Sequence, residues 1–271
     1  MSRLTFTLRH EPEERLDLSA LTPKGLAGLD RKAIAALRIG QSKRGATVGD
    51  IFRVTGKDVS DIVFESGSER FDSVGNGLED GTIRIAGDVG AQAGRLMRSG
   101  NLIVEGSAGP HAGSCMRGGR IEISDNAGNH LGGPLAGELA GMNGGLIIVR
   151  GTTGDYAADR MRRGLIAVLK GAGDYAGARM IAGTLVVVGG VGALPGYLMR
   201  RGSIILDRTP GKLSPSFVAC GAPDLAFAGL LDRHLIAEGI VKRPLLERAP
   251  CRFGGDNAVL GLGEILFPAP K

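Results

Sequence analysis

The 271-residue sequence predicts an all-β fold, a right-handed parallel β-helix of about seven coils with mixed caps at its N- and C-terminal ends. Two observations predict it. A 19-residue repeat carries one short alternating strand per unit, and the composition combines 46 glycines with only 8 Phe, 3 Tyr and no Trp. Because so few large side chains cannot fill a conventional globular interior, the core is expected to be narrow and built from stacked, similar segments.

Residues 1–61 are expected to form an N-terminal cap, because the unpaired end of a strand stack must be covered. They contain the segment 4–9 (LTFTLR), a helix that begins near Thr22 and Pro23, and a strand-like segment at 48–54 (VGDIFRV). Residues 61–68 (DIVFESGS) then open a degenerate first coil.

Residues 62–207 are expected to form the β-helix itself. Units that open with glycine follow one another every 19 residues, except that one unit is 26 residues long and carries extra residues around 134–141 (PLAGELAG). The opening glycines, counted below as position 1, are Gly81, Gly100, Gly119, Gly145, Gly164, Gly183 and Gly202. Apolar residues at positions 3 and 5 give the period of a strand and exclude helical repeats. Such strands stack in parallel, and the crossover preference makes the helix right-handed.

Two further residue types recur at fixed positions. Glycine at position 10 predicts a corner that needs either a positive φ or a close backbone approach. These glycines are Gly90, Gly109, Gly128, Gly154, Gly173 and Gly192. Methionine at position 17 is expected to fill a narrow interior and not to bind a ligand. These methionines are Met97, Met116, Met161, Met180 and Met199.

Residues 208–271 are expected to form a C-terminal cap, with a helix over 224–239 (DLAFAGLLDRHLIAEG) that Pro223 and Asp224 open. The first residues lack the apolar stretch of a signal peptide, and no run of 18 apolar residues occurs, so a soluble, cytoplasmic protein without membrane contact is expected. The three widely spaced cysteines favour neither a disulfide framework nor an iron–sulfur site.

The sequence offers no cluster of residues that predicts catalysis. The four histidines lack metal-ligand spacing, so no metal site is expected. Glycine-rich stretches fall mostly in the repeat register, without the βαβ unit or the P-loop lysine of a nucleotide site. The acidic residues scatter over different repeat positions, so no catalytic residue is expected. These acids are Asp88, Glu105, Glu122, Asp155 and Asp174.

Positive charge is concentrated in the repeats. Residues 81–201 hold 13 Lys and Arg against 8 Asp and Glu, which accounts for the whole net charge of +5. If methionine at position 17 points inward, position 18 points outward. Positions 18 and 19 therefore present a predicted column of exposed arginines for a polyanion such as polyglutamate. The column consists of Arg98, Arg117, Arg162 and Arg200 at position 18 and Arg163 and Arg201 at position 19.

A simpler interpretation of this arginine column is that its members extend into water or pair with nearby acids such as Asp159. Nucleic acid is not expected as a partner, because aromatic residues for base stacking are scarce and the charge excess is modest. A flexible polycarboxylate or an acidic protein fits the column better.

The repeats, together with residues 48–56 (VGDIFRVTG) before them and 251–266 (CRFGGDNAVLGLGEIL) at the end, resemble the C subunit of formylmethanofuran dehydrogenase over nearly the whole chain. That family shares its β-helix with the C-terminal domain of the glutamate synthase large subunit. Its two branches are the archaeal tungsten or molybdenum dehydrogenases and the formyltransferase/hydrolase complex of methylotrophic bacteria. With 25 Arg and 8 Lys, typical of a GC-rich genome, the chain is more similar to the bacterial branch.

The resemblance implies a structural role in tetrahydromethanopterin-linked formaldehyde oxidation, where a formyl group passes to a methanofuran-type carrier and leaves as formate. It implies sister subunits that catalyse these steps: an amidohydrolase-like metal hydrolase, a formyltransferase and a dehydrogenase-B-like subunit. The carrier bears a polyglutamate tail, which would be the counter-ion of the arginine column, and no covalently bound cofactor is expected.

Three alternatives remain open from the sequence. The chain could be a glutamate-synthase-like scaffold of another amidotransferase or oxidoreductase. It could be the C subunit of a true formylmethanofuran dehydrogenase. It could also be a catalytic β-helix that acts on polysaccharide, although the expected cytoplasmic location argues against this.

Overall fold

The computed structural model describes residues 2–41, 45–221, 225–246 and 250–269. Strands and short helices alternate in its N-terminal part, strands follow through the repeats, and one longer helix lies near the C-terminus. The strands are β1 (Arg3–Leu8), β2 (Leu16–Asp17), β3 (Phe52–Thr55), β4 (Asp58–Phe64), β5 (Phe71–Asp72), β6 (Thr82–Ile85), β7 (Asn101–Val104), β8 (Arg120–Ile123), β9 (Asn143–Val149), β10 (Thr152–Thr153), β11 (Arg163–Val168), β12 (Gly171–Ala172), β13 (Thr184–Val187), β14 (Arg201–Leu206), β15 (Val218–Cys220), β16 (Cys251–Gly255) and β17 (Leu262–Phe267). The helices are α1 (Pro23–Leu26), α2 (Arg31–Ala35), α3 (Val48–Ile51) and α4 (Leu225–Ala237).

One large sheet organises the described residues. Its 13 strands follow the order β15-β16-β17-β14-β13-β11-β9-β8-β7-β6-β4-β1-β3. The pairs from β1 through β14 to β17 are parallel, and antiparallel pairs occur only at the two ends, where β3 pairs with β1 and where β15, β16 and β17 meet. The chain is thus mostly sheet with few helices, as the all-β prediction requires.

The strands pair in the register of the sequence repeat. Ile83 of β6 pairs with Leu102 of β7, which pairs with Ile121 of β8, so each step advances by one 19-residue unit. Ile121 then pairs with Ile147 across the longer unit, so the extra residues leave the strand register intact. Positions 3 and 5 are buried in every pair, for example Ile83 and Ile85 at 0% exposure, which confirms the predicted inward face.

A second line of pairing joins the repeats at position 9. Isolated parallel bridges connect Val89 to Ala108, Ala108 to Ala127 and Ala127 to Thr153, and β10 pairs with β12 in the same direction. Backbone groups beyond the main sheet therefore also find partners in the neighbouring repeat, which a stack of narrow segments needs because buried amides must be hydrogen-bonded.

The predicted methionine column is buried. All five predicted methionines at position 17 have 0% exposure. Met142 is buried in the same way and occupies position 17 of the 26-residue unit, where counting forward from Gly119 missed it because the extra residues precede it. The column therefore has one more member than the sequence alignment gave.

The position-10 glycines are explained by close approach and not by positive φ. A Cβ on Gly173 would lie 2.2 Å from Asp155 Oδ1, an oxygen that accepts a 2.8 Å hydrogen bond from the backbone N–H of Asp174. The same hydrogen bond, from a backbone N–H one repeat later to a side-chain oxygen at position 11, is accepted by Asp72, Asn129 and Asp174. Positive φ belongs instead to the opening glycines, such as Gly164 at 98°.

The described residues between 2 and 55 agree only partly with what was predicted for them. Helix α1 begins after Thr22, whose side chain accepts the Gly25 N–H, as predicted. Residues 48–54 were predicted as one strand, which is wrong for their first half. Thr47 and Asp50 form a reciprocal capping box that satisfies the first amides of α3, so the strand β3 starts only at Phe52.

Helix α4 covers the outer face of the sheet over the strands β9, β11, β13 and β14. Its buried residues Ala228, Leu231 and Leu235 pack against position 4 of β9, β11, β13 and β14, where Ile148, Ala167, Val186 and Ile205 are buried. The predicted helix start at Pro223 and Asp224 lies outside the described residues. No helix in the described ranges is long and apolar enough to cross a membrane.

Candidate functional site

The six predicted arginines lie on the outer surface of the repeats. The backbone N–H at position 18 donates to the carbonyl at position 17 of the preceding repeat: Arg117 to Met97 at 2.7 Å, and Arg200 to Met180 at 2.8 Å. Arg162 makes the same bond to Met142. Since the methionine side chain points inward, the neighbouring arginine side chain points outward, and all six arginines are exposed.

The column is interrupted at two rungs. Asn143 and Ile181 occupy position 18 of their repeats and make the same backbone hydrogen bonds as the arginines. Exposed guanidinium groups therefore form three groups along the column and not one continuous row. These groups are Arg98 with Arg117, Arg162 with Arg163, and Arg200 with Arg201.

Acidic neighbours neutralise little of the column. Arg98 lies 3.2 Å from Glu79, an ion pair between an exposed arginine and a half-buried glutamate. The other five arginines have no ion pair within the part of the chain that the structure describes. Asp159, predicted as a partner, binds Arg179 instead through two hydrogen bonds of 2.8 and 2.7 Å. It is buried below the surface and does not reach the column.

A groove of about 560 Å³ adjoins the C-terminal end of the arginine column. We call it the basic-apolar groove, because aliphatic and guanidinium side chains share its walls. The aliphatic residues are Leu139, Ile181, Leu198 and Val259, and the basic residues are Arg160, Arg179 and Arg200. The sequence analysis missed Arg160 and Arg179, although both stand at position 16 of adjacent repeats.

The extra residues of the longest unit fold back onto the repeats beside this groove. Glu138 accepts hydrogen bonds from the Leu135 N–H at 2.7 Å and from Cys115 Sγ at 3.1 Å, and it pairs with Arg95. Burial raises the pKa of the Cys115 thiol, and the hydrogen bond to Glu138 adds to this effect. Burial also opposes ionisation of Glu138, but its three partners outweigh burial and lower its pKa.

Aromatic rings at position 12 form a second feature that the sequence analysis missed. His111 and His130 stack with centroids 4.9 Å apart, His130 stacks on Tyr156 at 5.1 Å, and Tyr156 on Tyr175 at 4.9 Å. The Nδ1 atoms of both histidines are buried without a hydrogen-bond partner among the described residues. Burial, and then the neighbouring His111, lower the pKa of His130. The rings thus support packing between repeats.

Across the described ranges, no group of three or more His, Cys, Asp or Glu side chains is arranged to hold a metal ion. The three cysteines are free. What the described surface offers chemically is therefore recognition of anions by the arginine column and of a mixed apolar and anionic surface by the basic-apolar groove.

Comparison with known proteins decides the family. The chain is 48% identical over 265 residues to the C subunit of the Fhc formyltransferase/hydrolase complex of Methylorubrum extorquens, covering 98% of this chain and 99% of that protein. The chain belongs to this C-subunit family. It also superposes with a TM-score of 0.94 and 46% identity on a chain of the crystal structure of the FhcABCD complex from the same organism in complex with methylofuran, covering 98% and 100% of the two chains.

The family assignment confirms the resemblance to the C-subunit family that the repeats and residues 48–56 and 251–266 indicated, and it confirms the bacterial branch that the Arg and Lys content favoured. No protein-family model matches the sequence. Neither comparison tests the six arginines, whose role as a binding site stays a prediction.

Proposed function

We propose that this chain is a structural, non-catalytic subunit of a formyltransferase/hydrolase complex in one-carbon metabolism. Such a complex moves a formyl group from formyl-tetrahydromethanopterin to a methanofuran-type carrier and releases formate. The observation that carries the proposal is the 48% identity to the C subunit of the Fhc complex over 98% of the chain. The partners would be an amidohydrolase-like hydrolase, a formyltransferase and a dehydrogenase-B-like subunit, in the cytoplasm.

The repeats would wind into a right-handed parallel β-helix of about seven coils over residues 62–207. Residues 1–61 and 208–271 would be its caps. The parallel pairing at one-repeat intervals in the main sheet and the second line of bridges at position 9 support this proposal. The sheet itself continues into both caps, because β4 pairs with β1 and β14 pairs with β17.

The non-catalytic role rests on how the acidic side chains of the repeats are used. Asp155 and Asp174 each accept a backbone N–H of the next repeat. Asp159 is bound to Arg179, and Glu138 to Arg95. Carboxylates that hold the chain together in this way are not available to transfer protons to a substrate, so formyl transfer and hydrolysis would belong to the sister subunits.

The arginine column would hold the polyglutamate tail of the carrier. Guanidinium groups form charge-assisted hydrogen bonds with carboxylates, and Arg117, Arg162 and Arg200 have no ion pair within the described residues that would compete. A flexible tail with many carboxylates can contact the three groups of arginines at once, so weak individual contacts would combine into appreciable affinity. The residues present therefore fit such a tail, which would be held without a covalent bond.

A combined Arg117→Ala, Arg162→Ala and Arg201→Ala variant tests the tail site, since these three arginines lie outside the basic-apolar groove. We expect the complex to stay assembled and to retain about tenfold less carrier, since each exposed arginine–carboxylate contact contributes up to about 1 kcal/mol. The ratio of carrier to protein is measured by mass spectrometry of the purified complex. The difference in carrier retention between wild type and variant should shrink as ionic strength rises, because salt screens exposed charges.

The matched control is Arg3→Ala, Arg84→Ala and Arg208→Ala. Arg3 and Arg208 are also exposed, and Arg84 is half-buried. The three substitutions remove the same charge as the first variant, but each of these arginines pairs with an acid of its own chain. Equal carrier retention in the two triple variants would refute the tail site. Loss of assembly in the first variant alone would refute it as well and would indicate an acidic protein partner of the column.

A further inference from the structure

We propose that the basic-apolar groove is a docking site for a protein segment of a sister subunit, one that presents an aliphatic or aromatic side chain next to a carboxylate. The proposal rests on the proposed function, because it assigns a surface to the assembly of that complex. The docking site lies outside the predicted arginine column, except that Arg200 belongs to both the column and the groove.

The extra residues of the longest unit hold one wall of the groove in place. The N–H of Met142 donates to Gly132 O at 2.7 Å and closes the loop at its base, and the Gly141 N–H donates to Arg160 O at 3.0 Å. Glu138 fixes the middle through Arg95 and Cys115, and Arg160 donates from Nη1 to Glu138 O at 2.9 Å. The loop is thus fastened on several sides.

This fastening leaves one large apolar side chain facing solvent. Leu139 is 89% exposed, the highest exposure among the large hydrophobic residues of the described chain, although its immediate neighbours in the loop make the contacts given above. A flexible loop could turn the leucine side chain inward, but this loop is held by hydrogen bonds and keeps the side chain of Leu139 in solvent. Val259, on the loop before β17, adds a second exposed aliphatic side chain at 44%. Exposed apolar surface rimmed by polar groups is typical of a protein interface.

The charges of the groove determine what the partner must bring. Asp159 neutralises Arg179, and Arg95 neutralises Glu138. Within the described ranges, Arg160 and Arg200 have no carboxylate partner, so the groove keeps an excess of positive charge. Guanidinium groups beside aliphatic side chains favour a segment with an acidic residue adjacent to an apolar one.

The aliphatic wall separates this site from the tail site. A polyglutamate tail brings carboxylates without large apolar groups, so it would leave Leu139, Leu198 and Val259 uncovered. A protein segment covers them and gains the free energy of burying apolar surface. The column of arginines suits the tail, and the basic-apolar groove suits a protein.

The test places a photo-crosslinking residue, p-benzoylphenylalanine, at position 139 in the assembled complex. We expect a crosslink to another chain, within a peptide that carries Asp or Glu beside an aliphatic or aromatic residue, identified by mass spectrometry. The same residue at position 230 is the control, because Leu230 on α4 is also exposed, at 61%, and lies outside the groove. It should not crosslink to that peptide.

Substitutions add a quantitative readout. Leu139→Asp should weaken binding of the crosslinked sister chain about tenfold by removing apolar contact and repelling the partner carboxylate, whereas Leu139→Met should bind like the wild type. Leu230→Asp is the matched control and should leave this binding unchanged. Because both leucines are exposed, thermal unfolding should be unaffected in all three variants.

The outcomes separate the two proposals. If the complex assembles but position 139 crosslinks only to its own chain, to the carrier or to a peptide without an acidic residue, the docking proposal fails and the proposed function stands. An unchanged affinity of Leu139→Asp has the same consequence. If the wild-type chain carries no sister subunit at all, the proposed function fails and the docking proposal fails with it.

Discussion

At position 12, the side chains of four successive repeats stack on one another, which favours an aromatic ring there. His111, His130, Tyr156 and Tyr175 all have φ near +60°, which is uncommon outside glycine, and the same φ in successive repeats aligns their rings for stacking. One of these rings, His130, has a pKa that burial and then His111 lower, so the fold is sensitive to protonation of that ring. The shared repeat position was a sequence signal for this column, but the positive φ that aligns the rings is visible only in the backbone conformation.

Acid should destabilise the chain through His130. The groups around this ring are His111, Asp155, Asp159 and Arg179, and the pKa of His130 is lowered by burial first and by His111 second. The folded chain therefore binds a proton less readily than the unfolded chain. Stability is fully present above the unfolded histidine pKa of about 6.5 and is lost as the pH falls below it.

His130→Tyr should reduce this loss, because Tyr156 already occupies the equivalent place in the next repeat with the same φ. The measurement compares urea unfolding near neutral pH and at about pH 5.5 for wild type and variant. His10→Gln, an exposed change near the N-terminus, is the control for replacing a histidine elsewhere in the chain. An identical loss of stability in wild type and His130→Tyr would contradict this account.

At the scale of the element, neighbouring repeats are held together partly by side-chain oxygens, which accept backbone N–H groups in place of a carbonyl oxygen. Asx residues at position 11 bind the amide one repeat later, above a glycine that has no Cβ to block them. The strands and inward faces could be predicted from sequence because they follow period 2. Met142 could not, since the extra residues shift the count. Helix α3 did have a sequence signal, the capping box of Thr47 and Asp50, which the strand prediction for residues 48–54 overlooked.

Gly173→Ala should destabilise the chain by about 1–3 kcal/mol, because the new Cβ would lie 2.2 Å from Asp155 Oδ1 and the oxygen cannot move without losing its hydrogen bond. Urea unfolding measures the change. Gly211→Ala is the control, since nothing lies within 4 Å of its Cβ, and should change stability by less than about 0.5 kcal/mol. Equal effects of the two substitutions would mean that the Asx–glycine contact is not what requires glycine.

The whole molecule combines a repetitive, hydrogen-bonded stack with two surfaces that it does not use for its own folding. The arginine column could be predicted because position 18 must face outward when position 17 faces inward. The basic-apolar groove could not, because Leu139, Arg160 and Val259 come from a loop, a repeat and a segment after the repeats that only the fold brings together. A chain that binds the carrier tail and a sister subunit would account for both the arginine column and the basic-apolar groove.

The central claim, that this chain acts as one component of an assembly, is tested most directly by native mass spectrometry of the chain purified from its own source. We expect a single assembly well above the 28.0 kDa of the chain, with formyltransferase and hydrolase subunits bound to it. Recovery of the chain alone, at 28.0 kDa and without companion chains, would contradict the account.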